Sequence, residues 1–238
     1  MNPEKLQLTG GGKKENRREL DFYPTPPEVT IALMEFLKSI GYPLPHSCWE
    51  PACGDGAMVN VLKKYIPQVD GTDIKNGYDY LKLHYTRYQS IITNPPFNLS
   101  EQFIKKALNE APLVAMLLKS QYWHAKKRYE LFMQHKPACI LPLTWRPDFK
   151  GENGSPTMEV YWTVWIKDNT DCKYLPLLKP TTTNNYIEMT DIFSIKIKDI
   201  PKNVKCNCGH TFEYHWNGGW CHSDISSQCR CSYFDPNP

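Results

Sequence analysis

No stretch of eighteen consecutive apolar residues occurs in this sequence, which argues against a membrane-spanning helix. The first twenty residues, "MNPEKLQLTGGGKKENRREL", lack the apolar centre of a secretory signal, so the expectation is a cytoplasmic protein. A strong charge excess is missing too. The formal net charge is only +3, which permits a nucleic-acid partner without arguing for one. No dinucleotide fingerprint of the GxGxxG kind is present, no fixed-period repeat is visible, and the cysteines form no pair of CxxC knuckles. Aromatic residues are plentiful, with seven Trp and fourteen Tyr in 238 residues. That length suits one substantial α/β domain and a small appendage.

Residues 1–20 are Gly-rich and charged and read as a flexible basic tail carrying Lys13, Lys14, Arg17 and Arg18. "YPTPPEV" opens a helix: Pro26 and Pro27 suit a first turn, Thr25 is the expected cap, and Gly41 and Pro43 end it. Val29, Leu33, Phe36, Leu37 and Ile40 recur at helical spacing. "SCWEPACGDGAMVNVLKKYI" reads as strand, tight glycine turn, helix. "QVDGTDI", "YQSIITN", "LVAMLLK", "ACILPL" and "MEVYWTVWIK" are further strands, and "SEQFIKKALNEA" is an amphipathic helix with Ser100 as its expected cap. Strands alternating with helices, and apolar runs without alternation, predict a mainly parallel, doubly wound α/β sheet of Rossmann-like type.

In "EPACGDG" the first strand turns into the first crossover helix. Ligands of open α/β sheets bind at the carboxyl ends of strands. Gly54 and Gly56 allow positive φ and close backbone approach. Asp55 beside them suits an ammonium better than a phosphate. Asp73, at the end of the second strand, is placed to take the two hydroxyls of a ribose. Asp79, in "GYDYL", can accept from an adenine amino group. The plainer alternative is an ordinary βα turn with Asp73 capping a strand end.

"IITNPPFNLS" ends an apolar strand with two prolines and an aromatic. The order "EPACGDG", "TDI", "NPPF" resembles the S-adenosylmethionine-dependent amino-methyltransferases of the DNA adenine type, phage-type enzymes in particular. Asn94, Pro95, Pro96 and Phe97 match that family's fourth motif fully. "DFYPTPPEV" is similar to its segment over the methionine end of the cofactor, and "LTWRPDF" with "YWTVW" to its late segment. The likeness covers roughly residues 21–166, and the expected methyltransferase domain is 21–167. It implies a class I methyltransferase fold and a cofactor held by Tyr23, Thr25, Pro26, Glu50, Pro51, Ala52, Gly54, Asp55, Gly56, Asp73, Ile74, Asp79, Tyr80 and Asn94. It also implies that Asn94 to Phe97 act on the base.

The residues support that chemistry independently. An exocyclic amine is a poor nucleophile because its lone pair is delocalised into the ring. Acceptors aimed at both N–H groups draw it toward tetrahedral geometry, and Asn94 Oδ1 with the rigid Pro95 carbonyl can serve. Phe97 offers a face on which a base can stack once it leaves the duplex, at a cost of a few kcal/mol. The alternative for this turn is a strand stop with a core Phe. RNA adenine and protein glutamine are rival acceptors, and a non-catalytic DNA- or host-factor-binding protein is a rival of another class. Arg146 and Lys150, in the long "WRPDFKGENGSPT" loop, are expected to reach phosphate.

Residues 168–202 read as a connecting segment. From residue 203 to 238 the composition changes, with Cys206, Cys208, His210, His215, Cys221, His222, Cys229 and Cys231 close together. A stretch so poor in aliphatics needs another source of stability, and four soft ligands make a tetrahedral Zn²⁺ site. Cys208, His215, Cys221 and one or both of Cys229 and Cys231 are the favoured ligands, with Cys206 and His210 next and a second ion an open alternative; loose reduced thiols are the other alternative. No large target-recognition region follows the NPPF turn.

Overall fold

The computed structural model describes residues 24–84, 88–151, 156–169 and 171–181. The expected zinc module, most of the connecting segment and the basic tail lie outside the described residues.

Seven strands form one sheet: β1 Ser47–Glu50, β2 Gln68–Gly71, β3 Ser90–Thr93, β4 Leu113–Lys119, β5 Cys139–Pro142, β6 Val160–Ile166 and β7 Lys173–Tyr174. Their spatial order is β2-β1-β3-β4-β6-β5-β7. β1 pairs in parallel with β2 and β3, and β3 with β4. β6 is inserted antiparallel between β4 and β5, with Leu113 opposite Ile166 and Cys139 opposite Val164. The helices are α1 Pro27–Ser39, α2 Ala57–Leu62, α3 Ser100–Glu110 and α4 Tyr129–Gln134. The expected strands and the first three helices are all present. The short α4 and the two-residue β7 escaped the sequence reading, because neither is long enough to show a periodicity.

Neighbouring residues of one strand face opposite cores, as pleating requires. Cys48, Ile92 and Ala115 belong with α1 and α2 on one face, while Trp49, Ile91 and Val114 belong with Phe103, Ile104 and Ala107 of α3 on the other. Two-sided burial explains the unbroken apolar run of β4, and β1, β3 and β4 are buried throughout save Lys119. The sheet is therefore covered by helices on both sides, as a doubly wound fold demands.

Both expected helix caps are corrected. α1 begins after Pro26, and Thr25 makes no capping bond to its backbone; the hydroxyl instead accepts from Asn94 Nδ2 at 3.0 Å. α3 begins after Leu99, also without a side-chain cap. Ser100 lies inside the helix, and its hydroxyl donates back to the carbonyls of Pro96 (3.3 Å) and Phe97 (3.1 Å). In each case the nearby NPPF turn offers a polar partner that competes with the local backbone.

α1 is tied to the far sheet by Trp162 of β6, whose indole N–H donates to the Val29 carbonyl at 3.0 Å. At the end of β2 the backbone is pressed against α2. A Cβ on Gly71 would stand 2.7 Å from Val59 Cγ2 and 3.0 Å from Cys53 Cβ. Gly71→Ala is accordingly expected to lower stability by about 1–3 kcal/mol, read as an earlier urea midpoint at unchanged slope.

Candidate active site

The carboxyl ends of β1 and β3 lie side by side where the strand order reverses, β2 lying to one side and β4 to the other. A cavity of about 340 Å³ opens there, within the roughly 300–1,000 Å³ range of small-molecule sites. Its walls include Pro51, Ala52, Asp55, Asp73, Ile74, Asp79, Tyr80 and all four residues of the Asn94–Phe97 turn. Three separate sequence motifs thus meet in one cleft.

The glycine turn behaves as its composition predicts. Gly54 has φ +52° and Gly56 φ +82°, and the Gly56 N–H donates to the Cys53 carbonyl at 2.7 Å. Left-handed φ at both positions explains why glycine stands at each. Asp73 locks this turn in place: Oδ2 accepts from the Gly54 N–H at 2.8 Å, and Oδ1 from the Lys75 N–H at 2.9 Å. Each carboxylate oxygen keeps a second lone-pair direction for a ligand hydroxyl. Asp55 is ion-paired to Lys75, and its side chain is 69% exposed, so its charge is partly offset before any ligand arrives. Asp79 accepts from the Leu81 N–H and pairs with Lys82 at 3.1 Å.

Tyr80 is buried and donates to Glu110 Oε2 at 3.0 Å, while Glu110 Oε1 accepts from Lys106 at 2.7 Å. Burial, reinforced by Glu110, holds the Tyr80 phenol far above its usual range. This neutral ring forms a fixed wall of the cavity, braced by α3.

Glu50 is 1% exposed, and its Oε2 has no hydrogen-bond partner among the described residues. It does not line the cavity itself but directly precedes Pro51 and Ala52, which do. Its carboxyl is raised well above the usual range, first by burial and then by the neighbouring charge of Asp73, with the Thr93 hydroxyl and Val59 backbone opposing. A buried carboxyl with an unused oxygen is kept neutral more readily than charged. The sign of its linkage follows. Above the ordinary carboxyl pKa of about 4.3, the folded chain holds a proton that the unfolded chain has released. Its contribution is full below that value and is lost as pH rises through the folded pKa. Glu50→Gln is expected to flatten this slope and to stabilise the ligand-free chain at pH 8 by about 1–3 kcal/mol. Thermal melts from pH 5 to pH 8 measure it.

At the NPPF turn, Pro95 is buried and Asn94, Pro96 and Phe97 are half-buried. Asn94 donates through Nδ2 to Thr25, and its Oδ1 accepts no hydrogen bond among the described residues. The Lys119 ammonium lies 4.5 Å from the centre of the Phe97 ring, a cation–π contact that no sequence pattern announces.

Other candidate residues sit elsewhere. Thr25, Pro26, Glu50, Gly54 and Gly56 do not line the main cavity; Gly54 and Gly56 border a shallower dent beside it. Tyr23 lies outside the described residues, as do Cys208, His215, Cys221, Cys229 and Cys231. Among the described residues no cluster of His, Cys, Asp or Glu could hold a metal ion. The 143–159 loop joins β5 to β6 at the same sheet edge as the cavity. Phe149 and Met158 from this loop line the cavity, an unforeseen contribution. Arg146 belongs to a neighbouring groove of about 920 Å³ with Trp123, His124, Trp145 and Tyr174, and it pairs with Glu159 at 2.6 Å. Lys150 is exposed and lines neither.

No protein-family model matches the chain, and no curated protein matches it either. Among solved structures it is similar to a candidate class I S-adenosylmethionine-dependent methyltransferase from Listeria monocytogenes, at 13% identity over 71% of each chain with a TM-score of 0.51. It is also similar to a type I restriction-modification methyltransferase subunit from Streptococcus thermophilus (11% identity, 65% of this chain and 47% of that one, TM-score 0.47). A release-factor-specific protein-(glutamine-N5) methyltransferase from Alicyclobacillus acidocaldarius is a more distant likeness (14% identity, 59% of this chain and 93% of that one, TM-score 0.37). The first likeness is one of fold: the mixed α/β seven-stranded sheet matches the Rossmann-like fold of that class I methyltransferase structure. Among the described residues no helix is long and apolar enough to cross a membrane.

Proposed function

We propose that this protein transfers a methyl group from S-adenosylmethionine to the exocyclic amino group of adenine in DNA. The observation that carries this reading is the convergence of the Asn94–Phe97 turn with Asp73 and Asp79 in one cavity at the reversal of strand order. The residues present fit the donor. Asp73 keeps lone pairs for ribose hydroxyls, Asp79 offers an acceptor for the adenine amine, and Ile74 and Tyr80 supply apolar walls. Bound there, S-adenosylmethionine supplies a methyl group already activated by a sulfonium.

The chain's own task is positioning. Asn94 Oδ1 and the Pro95 carbonyl accept the two N–H groups of the target amine and favour tetrahedral geometry as the new N–C bond forms and the S–C bond breaks. The amine's surplus proton is then released to solvent. No side chain of matched pKa is required. Holding the amine in line is worth up to roughly 7–11 kcal/mol in favourable cases, and fixed dipoles add to it. Phe97 stacks on the extruded base once Lys119 yields that face. Arg146 has only an exposed pair with Glu159 to give up, worth about 0–1 kcal/mol, so a backbone phosphate competes for it readily; Lys150 is a second candidate for phosphate. Zn²⁺ held by Cys208, His215, Cys221 and one or both of Cys229 and Cys231 belongs to the same proposal and is supported by their crowding in the sequence alone.

Incubation with methyl-labelled donor and DNA, RNA or protein, followed by identification of the modified nucleoside or residue, tests the reading. Labelled N6-methyladenine in DNA is the expected product. Label found only in RNA or on glutamine would move the acceptor but keep the reaction, and donor binding without label on any acceptor would overturn it.

A further inference from the structure

We infer that Thr25 is a positioning residue that sets which end of the Asn94 amide faces the substrate, an inference that rests on the proposed methyl transfer. A side-chain amide has two ends of nearly equal size and opposite hydrogen-bonding character. Turned one way, Asn94 presents an acceptor to the target amine; turned the other, it presents an NH₂ group that repels it. Something outside the cavity must break this near-symmetry. Among the described residues the sole hydrogen bond of the Asn94 side chain is from Nδ2 to Thr25 Oγ1, at 3.0 Å. That bond fixes the NH₂ end and leaves Oδ1 as the free end.

Thr25 is well held for such a role. It is 4% exposed, so water does not compete freely for its oxygen. Prolines stand on both sides of it, at 24 and 26, which restricts the backbone to extended conformations. Pro26 has φ −55° and ψ 138° and leads directly into α1. That helix is anchored four residues on, where Trp162 Nε1 donates to the Val29 carbonyl at 3.0 Å, and by the Glu28–Lys179 pair at 3.8 Å. Threonine is also stiff at χ1. The hydroxyl missing from the expected helix cap is thus spent on orienting a residue 69 positions away in sequence.

The test uses a symmetry that asparagine lacks. A carboxylate offers an oxygen whichever way it turns, so Asn94→Asp has no orientation for Thr25 to choose. In the native background, Thr25→Val is expected to lower kcat about tenfold, the effect of losing one buried hydrogen bond, with the KM for the donor unchanged and Thr25→Ser close to wild type. In the Asn94→Asp background the same Thr25→Val substitution is expected to change kcat less than about twofold, a non-additivity that a double-mutant cycle reads directly. An equal loss in both backgrounds would assign Thr25 to the helix or the donor and overturn the positioning role. If the wild-type chain labels no acceptor at all, the proposed methyl transfer falls and this role falls with it; labelling with additive losses sinks the positioning role alone.

Discussion

Replacement of Asn94 by alanine is expected to reduce methyl transfer by about 10²–10³-fold, the loss typical of deleting one fixed dipole aimed at developing charge. The fold should survive, because Asn94 lies beyond the end of β3 and its side chain makes one hydrogen bond, to Thr25. Donor affinity, measured by calorimetry, should move only a few-fold, since Asp73 and Asp79 are untouched. Single-turnover kinetics with saturating donor and DNA isolate the relevant step. A variant that keeps more than a tenth of wild-type turnover would show that the Pro95 carbonyl alone suffices, and the role given to residue 94 would be withdrawn.

The largest expected effect on stability belongs to Trp162→Ala. The indole is fully buried among residues of β6, α1 and the β5–β6 loop, and its N–H ends on the Val29 carbonyl. Truncation removes most of a large apolar ring, leaves a void and takes away the N–H that reaches the Val29 carbonyl. Changes of this kind cost about 3–5 kcal/mol. Trp162→Phe keeps much of the packing and loses the hydrogen bond, so it should cost about 1–2 kcal/mol. Denaturant midpoints at constant slope separate the two. A loss below 1 kcal/mol for the alanine variant would mean that α1 does not depend on this anchor.

Trp162 also illustrates what was and was not legible in the chain. "YWTVW" announces a strand by its β-branched and aromatic content, but no local pattern says that its indole reaches a helix more than a hundred residues earlier. β4 was readable because burial on both faces leaves an unbroken apolar run, and β3 because its two isoleucines sit just before the NPPF turn. The Gly54–Gly56 turn and the position of Asp73 were readable because positive φ and strand-end geometry narrow the choice of residue. Thr25 and Ser100 misled because hydroxyls ahead of a helix usually serve its first turn, and here a closer polar partner claimed each. The Asp55–Lys75 pair, the unpartnered oxygen of Glu50 and the Lys119 ammonium over Phe97 are products of tertiary neighbourhood. None leaves a mark at a fixed spacing. Phe149 and Met158 entered the cavity for a similar reason: the loop carrying them is placed by the antiparallel insertion of β6, and insertion order is invisible in local periodicity.

That insertion has a consequence for how the chain matures. β4 is the most continuously apolar strand of the sheet, and one of its two edges is satisfied only by β6. During synthesis β5 emerges before β6 yet cannot take that edge, because its place lies one strand further out. "LVAMLLK" therefore waits with an open flank while the intervening segment is made, a template for pairing with other nascent chains. The same topology that exposes this flank during synthesis is the one that brings Phe149 and Met158 to the wall of the cavity.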